Sequence, residues 1–324
     1  MIGTILKSAA IGGAVTMCVA LGLVASQRPD MSAATQGEGL DFSEILGRTM
    51  SAPEPRAVPM RDGYGLQTRA YGEAGPLVVM VHGSGWNGLQ FNDLARALSG
   101  RARVLVPDLR GHGAKPGRRG DVDHIGQLEE DLADLIAAEA QPAQKVILLG
   151  HSSGGGLVVR MAGGAYGDRM DGAILLAPFL SHKAPTTRAN SGGWARPLLR
   201  RIIGLSILNT FRITALNHLP VITFSFPSQV LDGPLGHLAT SHYSFRLNTS
   251  YAPRGDYQAD IAALPRFLLI AGSADEAMDA AAYAPLLTSI NDGGQVLTVD
   301  GVGHLAIVDA PETLAAITGF LDEL

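Results

Sequence analysis

Residues 146–157 read VILLGHSSGGGL. Four apolar residues lead into Gly150-His151-Ser152-Ser153-Gly154, a G-x-S-x-G pattern, and then into the helix-compatible LVVRMAGGA. A buried strand that turns sharply into a helix holds the residue at the turn in strained backbone angles. A Cβ on either flank would clash, so both flanks must be glycine. Centring the pattern on Ser152 puts Gly150 and Gly154 there, whereas centring it on Ser153 puts His151 on one side. Ser152 is therefore the expected nucleophile. Ser153, at the start of a helix, is expected to offer its backbone N–H to a developing oxyanion.

A serine hydroxyl is inert at neutral pH without a base, and the base needs an orienting acid. Of the nine histidines, only His304, in GVGH just beyond QVLTVDG, follows the last expected strand. Asp275 is the first carboxylate after the apolar run RFLLIAG, with Glu276 and Asp279 as weaker alternatives. No carboxylate follows GAILLAP until Asp232. The second oxyanion N–H is expected from Ser84, in His82-Gly83-Ser84-Gly85-Trp86 after LVVMV. His82 and His112 sit in tight turns and read as hydrogen-bonded structural groups. Asp309 and Glu312 around Pro311 read as a helix capping box. The remaining histidines have no metal-ligand spacing, and neither a metal nor an organic cofactor is expected.

The elements that must carry these residues alternate. Short runs rich in Val, Ile and Leu at 77–83, 103–111, 145–150, 172–178, 266–272 and 295–301 are separated by helical stretches. That alternation predicts an α/β fold, a parallel sheet covered by helices on both faces. Segments near Arg56 and Tyr64 predict an antiparallel pair at one edge. The pattern is interrupted at about 181–258, where eight basic residues face two aspartates and eight of the eighteen aromatics collect. Such an insertion is expected to be a lid, with Trp194, Phe211, Phe224 and Phe226 joining Trp86 in contact with substrate. A merely solvated basic face is the competing reading.

The net charge is −5, which gives no basic excess for nucleic acid. The single cysteine, Cys18, leaves no disulfide or thiolate site elsewhere. From Ser8 to Ser26 runs a stretch of 19 residues without charge, preceded by Lys7. As a helix it is about 28 Å long, close to bilayer thickness. Residues 1–26 are accordingly expected to be a signal peptide or an N-terminal membrane anchor, with the rest of the protein outside the cytoplasm. A helix buried in the domain is the third possibility. Residues 27–55 read as a Ser-, Gly- and Pro-rich linker in which LDFSEIL makes an amphipathic turn or two.

As an ordered set, HG at 82–83, DLRGHG at 108–113, GHSSGG at 150–155, GSAD at 272–275 and GVGH at 301–304 resemble the α/β-hydrolase superfamily. The RGHG turn and long insertion look most like its monoacylglycerol lipase and lysophospholipase branch. The resemblance spans 56–324 apart from the lid. It implies a mostly parallel eight-stranded sheet with the lid inserted after strand 6, and Ser152, Asp275 and His304 as a catalytic triad. It also implies the N–H groups of Ser84 and Ser153 as an oxyanion hole. The expected substrate is a small carboxylic ester with an acyl chain, and membrane association is expected through residues 8–26. Thioesters, transfer of the acyl group to an acceptor other than water, and peptides are alternatives on the same fold. A slowly turning over ligand receptor is the alternative from another class.

Overall fold

The protein is described by a computed structural model over residues 2–29, 39–43 and 51–323. The expected edge pair forms β1 (Arg56–Pro59) and β2 (Gly65–Tyr71). The apolar runs then become β3 (Leu77–Val81), β4 (Arg103–Pro107), β5 (Val146–His151) and β6 (Gly172–Leu176). Within the insertion, β7 (Ala195–Pro197), β8 (Pro220–Phe224) and β9 (His242–Ser244) make a separate antiparallel sheet. Finally, β10 (Phe267–Gly272) and β11 (Gly294–Val299) complete the large sheet. Its eight strands lie in the order β1-β2-β4-β3-β5-β6-β10-β11. Only β2 runs antiparallel to its neighbours β1 and β4; the rest are parallel.

Helices cover both faces, as a sheet whose strands are apolar along their whole length requires. Among the described residues the helices of six residues or more are α1 (Ile2–Ala25), α2 (Asn92–Leu98), α3 (Gln127–Glu139), α4 (Ser153–Ala162), α5 (Leu199–Thr210), α6 (Phe245–Tyr251), α7 (Tyr257–Ala262), α8 (Tyr283–Thr288) and α9 (Pro311–Asp322), of which α1 and α5 pack on each other rather than on the large sheet. Helix α3 begins only at Gln127 because Gly126 before it adopts φ 99°. The capping box expected at α9 does not form: Ala310 is the N-cap, and no side chain caps it. Proline at the first helical position needs no donor there.

The insertion is tied to the body by ion pairs. Arg254 bridges Glu129 (2.7 Å) and Asp260 (2.9 Å), and Arg246 pairs with Asp121 at 2.5 Å. Its basic residues are therefore only partly a solvated face; Arg196, Arg200 and Arg212 remain exposed.

The apolar N-terminal run is helical, as expected, but one side of it packs on protein. Ala20 and Val24 are buried with Leu205 and Leu208 of α5. A Cβ on Gly204 would lie 2.6 Å from the Ala20 carbonyl oxygen, so the two helices meet backbone to backbone. Arg201 holds the end of α1 by donating to the Val24 carbonyl. Among the described residues no helix is long and apolar enough to cross a membrane, so the expected anchor finds no support there. Of the expected turn LDFSEIL, Leu40 to Ser43 are described, while residues 44–46 lie outside the described residues.

At the centre of the sheet Leu148 of β5 sits opposite Val79 and Ala173, fully buried. Leu148→Ala is expected to lower stability by about 2–5 kcal/mol, because so central a position cannot collapse onto the lost volume. Urea denaturation checks this; a loss below about 1 kcal/mol would show a loosely packed centre.

Candidate active site

Ser152, Asp275 and His304 follow β5, β10 and β11, so the parallel strands deliver all three to the carboxyl edge of one sheet. Ser152 adopts φ 54°, ψ −122°, the strained turn expected at the end of β5. Its N–H donates to the Leu176 carbonyl of β6 at 2.9 Å, and its own carbonyl accepts the Phe179 N–H at 2.9 Å. The flanking glycines are needed as the sequence suggests. A Cβ on Gly150 would lie 2.4 Å from the Gly154 carbonyl oxygen, and one on Gly154 would lie 2.1 Å from that of Val81.

His304 Nε2 lies 2.9 Å from Ser152 Oγ, and its Nδ1 lies 2.7 Å from Asp275 Oδ2. A carboxylate can only accept, so Nδ1 carries the proton and the Nε2 lone pair faces the serine hydroxyl. All three side chains are buried. The other Asp275 oxygen accepts the N–H groups of Ala277 (2.8 Å) and Met278 (2.7 Å). Burial pushes the Asp275 pKa up, but its interaction with the His304 ring and these hydrogen bonds outweigh it and hold the group below the usual carboxylate range. Glu276 takes a different part: its Oε2 accepts the His304 backbone N–H at 2.8 Å.

The loop after β3 faces the serine. A Cβ on Gly83 would lie 3.2 Å from Ser152 Cβ, and Ser84 lines the same cavity as Ser152 and His304. Ser84 Oγ accepts the Trp194 indole N–H at 3.2 Å, and Gly85 N–H donates to the Tyr243 hydroxyl at 2.6 Å. Ser153 begins α4, where a backbone N–H has no intrahelical acceptor.

Of the aromatics expected to meet substrate, Trp86, Trp194 and Phe226 line the cavity. Phe224 does not: it stacks behind Trp194, 5.3 Å between ring centroids. Phe211 is the clear correction, since it caps the end of α5 with 54% of its surface exposed. Aromatic content marked the insertion but could not distinguish its inner from its outer face. The cavity also holds residues that the motifs did not single out, Leu40, Phe42, Gln90, His151 and Leu305.

His151 carries a second hydrogen-bond relay. Its Nε2 lies 2.9 Å from the His304 carbonyl oxygen, so that nitrogen donates, and Nδ1 accepts from Gln90 Nε2 at 3.2 Å. Gln90 Oε1 in turn accepts the Gly83 N–H at 3.3 Å. The loop after β3 is thereby tied to the loop that carries His304. The position of His151, between Gly150 and Ser152, was its only signal in the sequence. His82 and His112 form the support beneath. His82 Nε2 accepts the Leu109 N–H at 3.1 Å, and His112 Nε2 meets the Tyr243 hydroxyl at 2.6 Å. Among the described residues no group of His, Cys, Asp and Glu is arranged to hold a metal ion.

The profile described as the alpha/beta hydrolase family matches residues 78–317. The magnesium-chelatase 30 kDa subunit of Rhodobacter capsulatus is 35% identical over 27% of this chain and 30% of its own. Esterase PIR7B of Oryza sativa subsp. japonica is 30% identical over 43% of this chain and 51% of its own. The chain thus spans about half the length, or less, of these curated relatives. The crystal structure of a monoacylglycerol lipase from Paleococcus ferrophilus superposes with a TM-score of 0.60 at 22% identity, over 80% of this chain and 98% of that one. At that identity the likeness speaks for the fold.

Burial depresses the pKa of His82 to about 4 and of His151 to about 3, and puts that of His112 well below its ordinary value. The unfolded chain takes up these protons near pH 6.5, the folded chain only near or below 4. In that window the unfolded state binds more protons, so stability falls as pH falls. The urea midpoint is expected to drop steadily from pH 7 to pH 5, and less steeply in His82→Gln. A flat profile in the parent would mean that these histidines are not held neutral.

Proposed function

The chain belongs to the α/β-hydrolase family, and from that premise we propose that it is a serine hydrolase of lipid-like carboxylic esters, of monoacylglycerol or lysophospholipid type. The observation that carries this reading is the buried hydrogen-bonded line from Asp275 through His304 to Ser152 Oγ. Ser152 Oγ attacks the acyl carbonyl carbon as its proton passes to His304 Nε2. Asp275 keeps its negative charge and stabilises the imidazolium. The carbonyl oxygen, now an oxyanion, takes hydrogen bonds from the N–H groups of Ser84 and Ser153. His304 then gives its proton to the leaving alcohol, and an acyl-serine remains. Water, deprotonated by His304, attacks that ester, and the collapse releases the acid and returns the proton to Ser152 Oγ.

The apolar lining of Trp86, Trp194 and Phe226 suits an acyl chain rather than a charged group. The insertion that supplies two of these side chains acts in this reading as the lid. We further place the outer face of α1 and α5 on an anionic membrane surface. Ile11, Val15, Val19 and Leu21 of α1 are exposed there, as are Leu199 and Ile203 of α5 and Phe211 and Ile213 just after it. Exposed Arg196, Arg200 and Arg212 accompany them, and no carboxylate occurs between 181 and 231. Apolar side chains that enter the headgroup boundary, with cations beside them, are what binding to anionic lipid requires.

Ser152→Ala is expected to lower kcat/KM for p-nitrophenyl esters by at least about a thousandfold, and Asp275→Asn by about 10⁴ in kcat, with folding intact by circular dichroism. Activity retained in Ser152→Ala would remove the triad reading. Leu199→Asp with Ile203→Asp should weaken co-sedimentation with phosphatidylglycerol vesicles several-fold at unchanged melting temperature. Undiminished binding would take the membrane surface away from this face.

A further inference from the structure

Two apolar side chains from the N-terminal side of the hydrolase domain, Leu40 and Phe42, sit in the cavity beside Ser152 and His304. Leu40 is 8% exposed and Phe42 4%, although the surrounding composition is that of a polar linker. The Phe42 ring centroid lies 5.6 Å from those of both Trp194 and Phe226, and 6.4 Å from that of Trp86. Phe42 therefore lies against the same aromatic wall that suits an acyl chain. The cavity left over is about 20 Å³, room for a water molecule and far too little for a chain of several carbons.

Among the described residues the segment makes few polar bonds. Asp41 N–H donates to Glu276 Oε1 at 3.2 Å, and the other oxygen of that carboxylate accepts the His304 N–H. The Asp41 carboxylate turns back on its own segment and accepts the Ser43 N–H at 2.9 Å. Among the described residues, what else keeps Leu40 and Phe42 in place is apolar contact, the same contact that an alkyl chain would make. A covalently attached Leu and Phe compete for that space at high effective concentration.

Resting on the ester-hydrolase reading above, we propose that Leu40 and Phe42 are specificity-determining residues that occupy the acyl subsite. A short acyl group reaches Ser152 with a small shift of these side chains, and a long acyl chain binds only by displacing them from the aromatic wall. Chain-length preference is then set by a segment outside the sheet, its helices and the insertion.

The test measures kcat/KM of the full chain for p-nitrophenyl acetate, butyrate, octanoate and dodecanoate. The proteins compared are the parent, Phe42→Ala, Leu40→Ala with Phe42→Ala, and Phe42→Trp. The double variant should raise the ratio of octanoate to acetate kcat/KM tenfold or more, through a lower KM for the long ester. Phe42→Trp should lower that ratio below the parent's. A gain with long esters cannot come from misfolding, and this keeps the outcome interpretable. A ratio that stays the same in all variants, or falls in the double variant, overturns the assignment while leaving the ester-hydrolase reading intact. If parent and variants turn over no ester, both fail together.

Discussion

A left-handed backbone at a serine persists only where its surroundings leave the chain no other path, and Ser152 depends on such surroundings. Strand β5 brings the chain to the turn, α4 takes it away, and the Leu176 carbonyl of β6 anchors the Ser152 N–H between them. Glycine on each side lets the carbonyls of Gly154 and Val81 approach to distances that a Cβ would forbid. Strain of this kind costs on the order of 1–3 kcal/mol, which the packed centre of the sheet can absorb. In return the hydroxyl projects beyond the sheet edge, where a base from another strand can reach it.

The polar groups around that turn are organised in tiers. Asp275 and His304 orient the hydroxyl, while the Glu276 carboxylate holds the His304 backbone. His151 and Gln90 join the His304 loop to the loop after β3, and Tyr243 with His112 holds that loop from below. Desolvation makes each unpaired group here costly, so a partner lost at one point is felt at the others. The buried histidines stay neutral for the same reason, and this couples the integrity of the site to pH.

The insertion has two sides. Trp194 and Phe226 line the cavity beside Phe42, whereas Leu199, Ile203 and Phe211 are exposed. Its aromatic and basic composition was legible as that of a special segment. The division between its faces was not, because three short strands and a single long helix give too little periodicity to orient each side chain. Phe211 and Phe224 have the composition of a substrate wall without its position.

Much of the site was legible from the chain itself, for a local reason. The Gly–x–Ser–x–Gly turn is a short-range steric requirement, and the order of strands sends Ser152, Asp275 and His304 to one edge whatever the loops do. The alternation of apolar runs and helices similarly determined the sheet. Other features were decided only by tertiary packing. Asp309 and Glu312 match a capping pattern, yet the N-cap is Ala310. The 19-residue apolar run reads as a signal peptide or membrane anchor, yet Ala20 and Val24 are buried against α5. Leu40 and Phe42 read as part of an amphipathic turn within a linker. Their destination depends on the shape of a cavity assembled from residues as far apart as Trp86, Trp194 and His304, and contacts of that range leave no periodic trace in the chain that makes them.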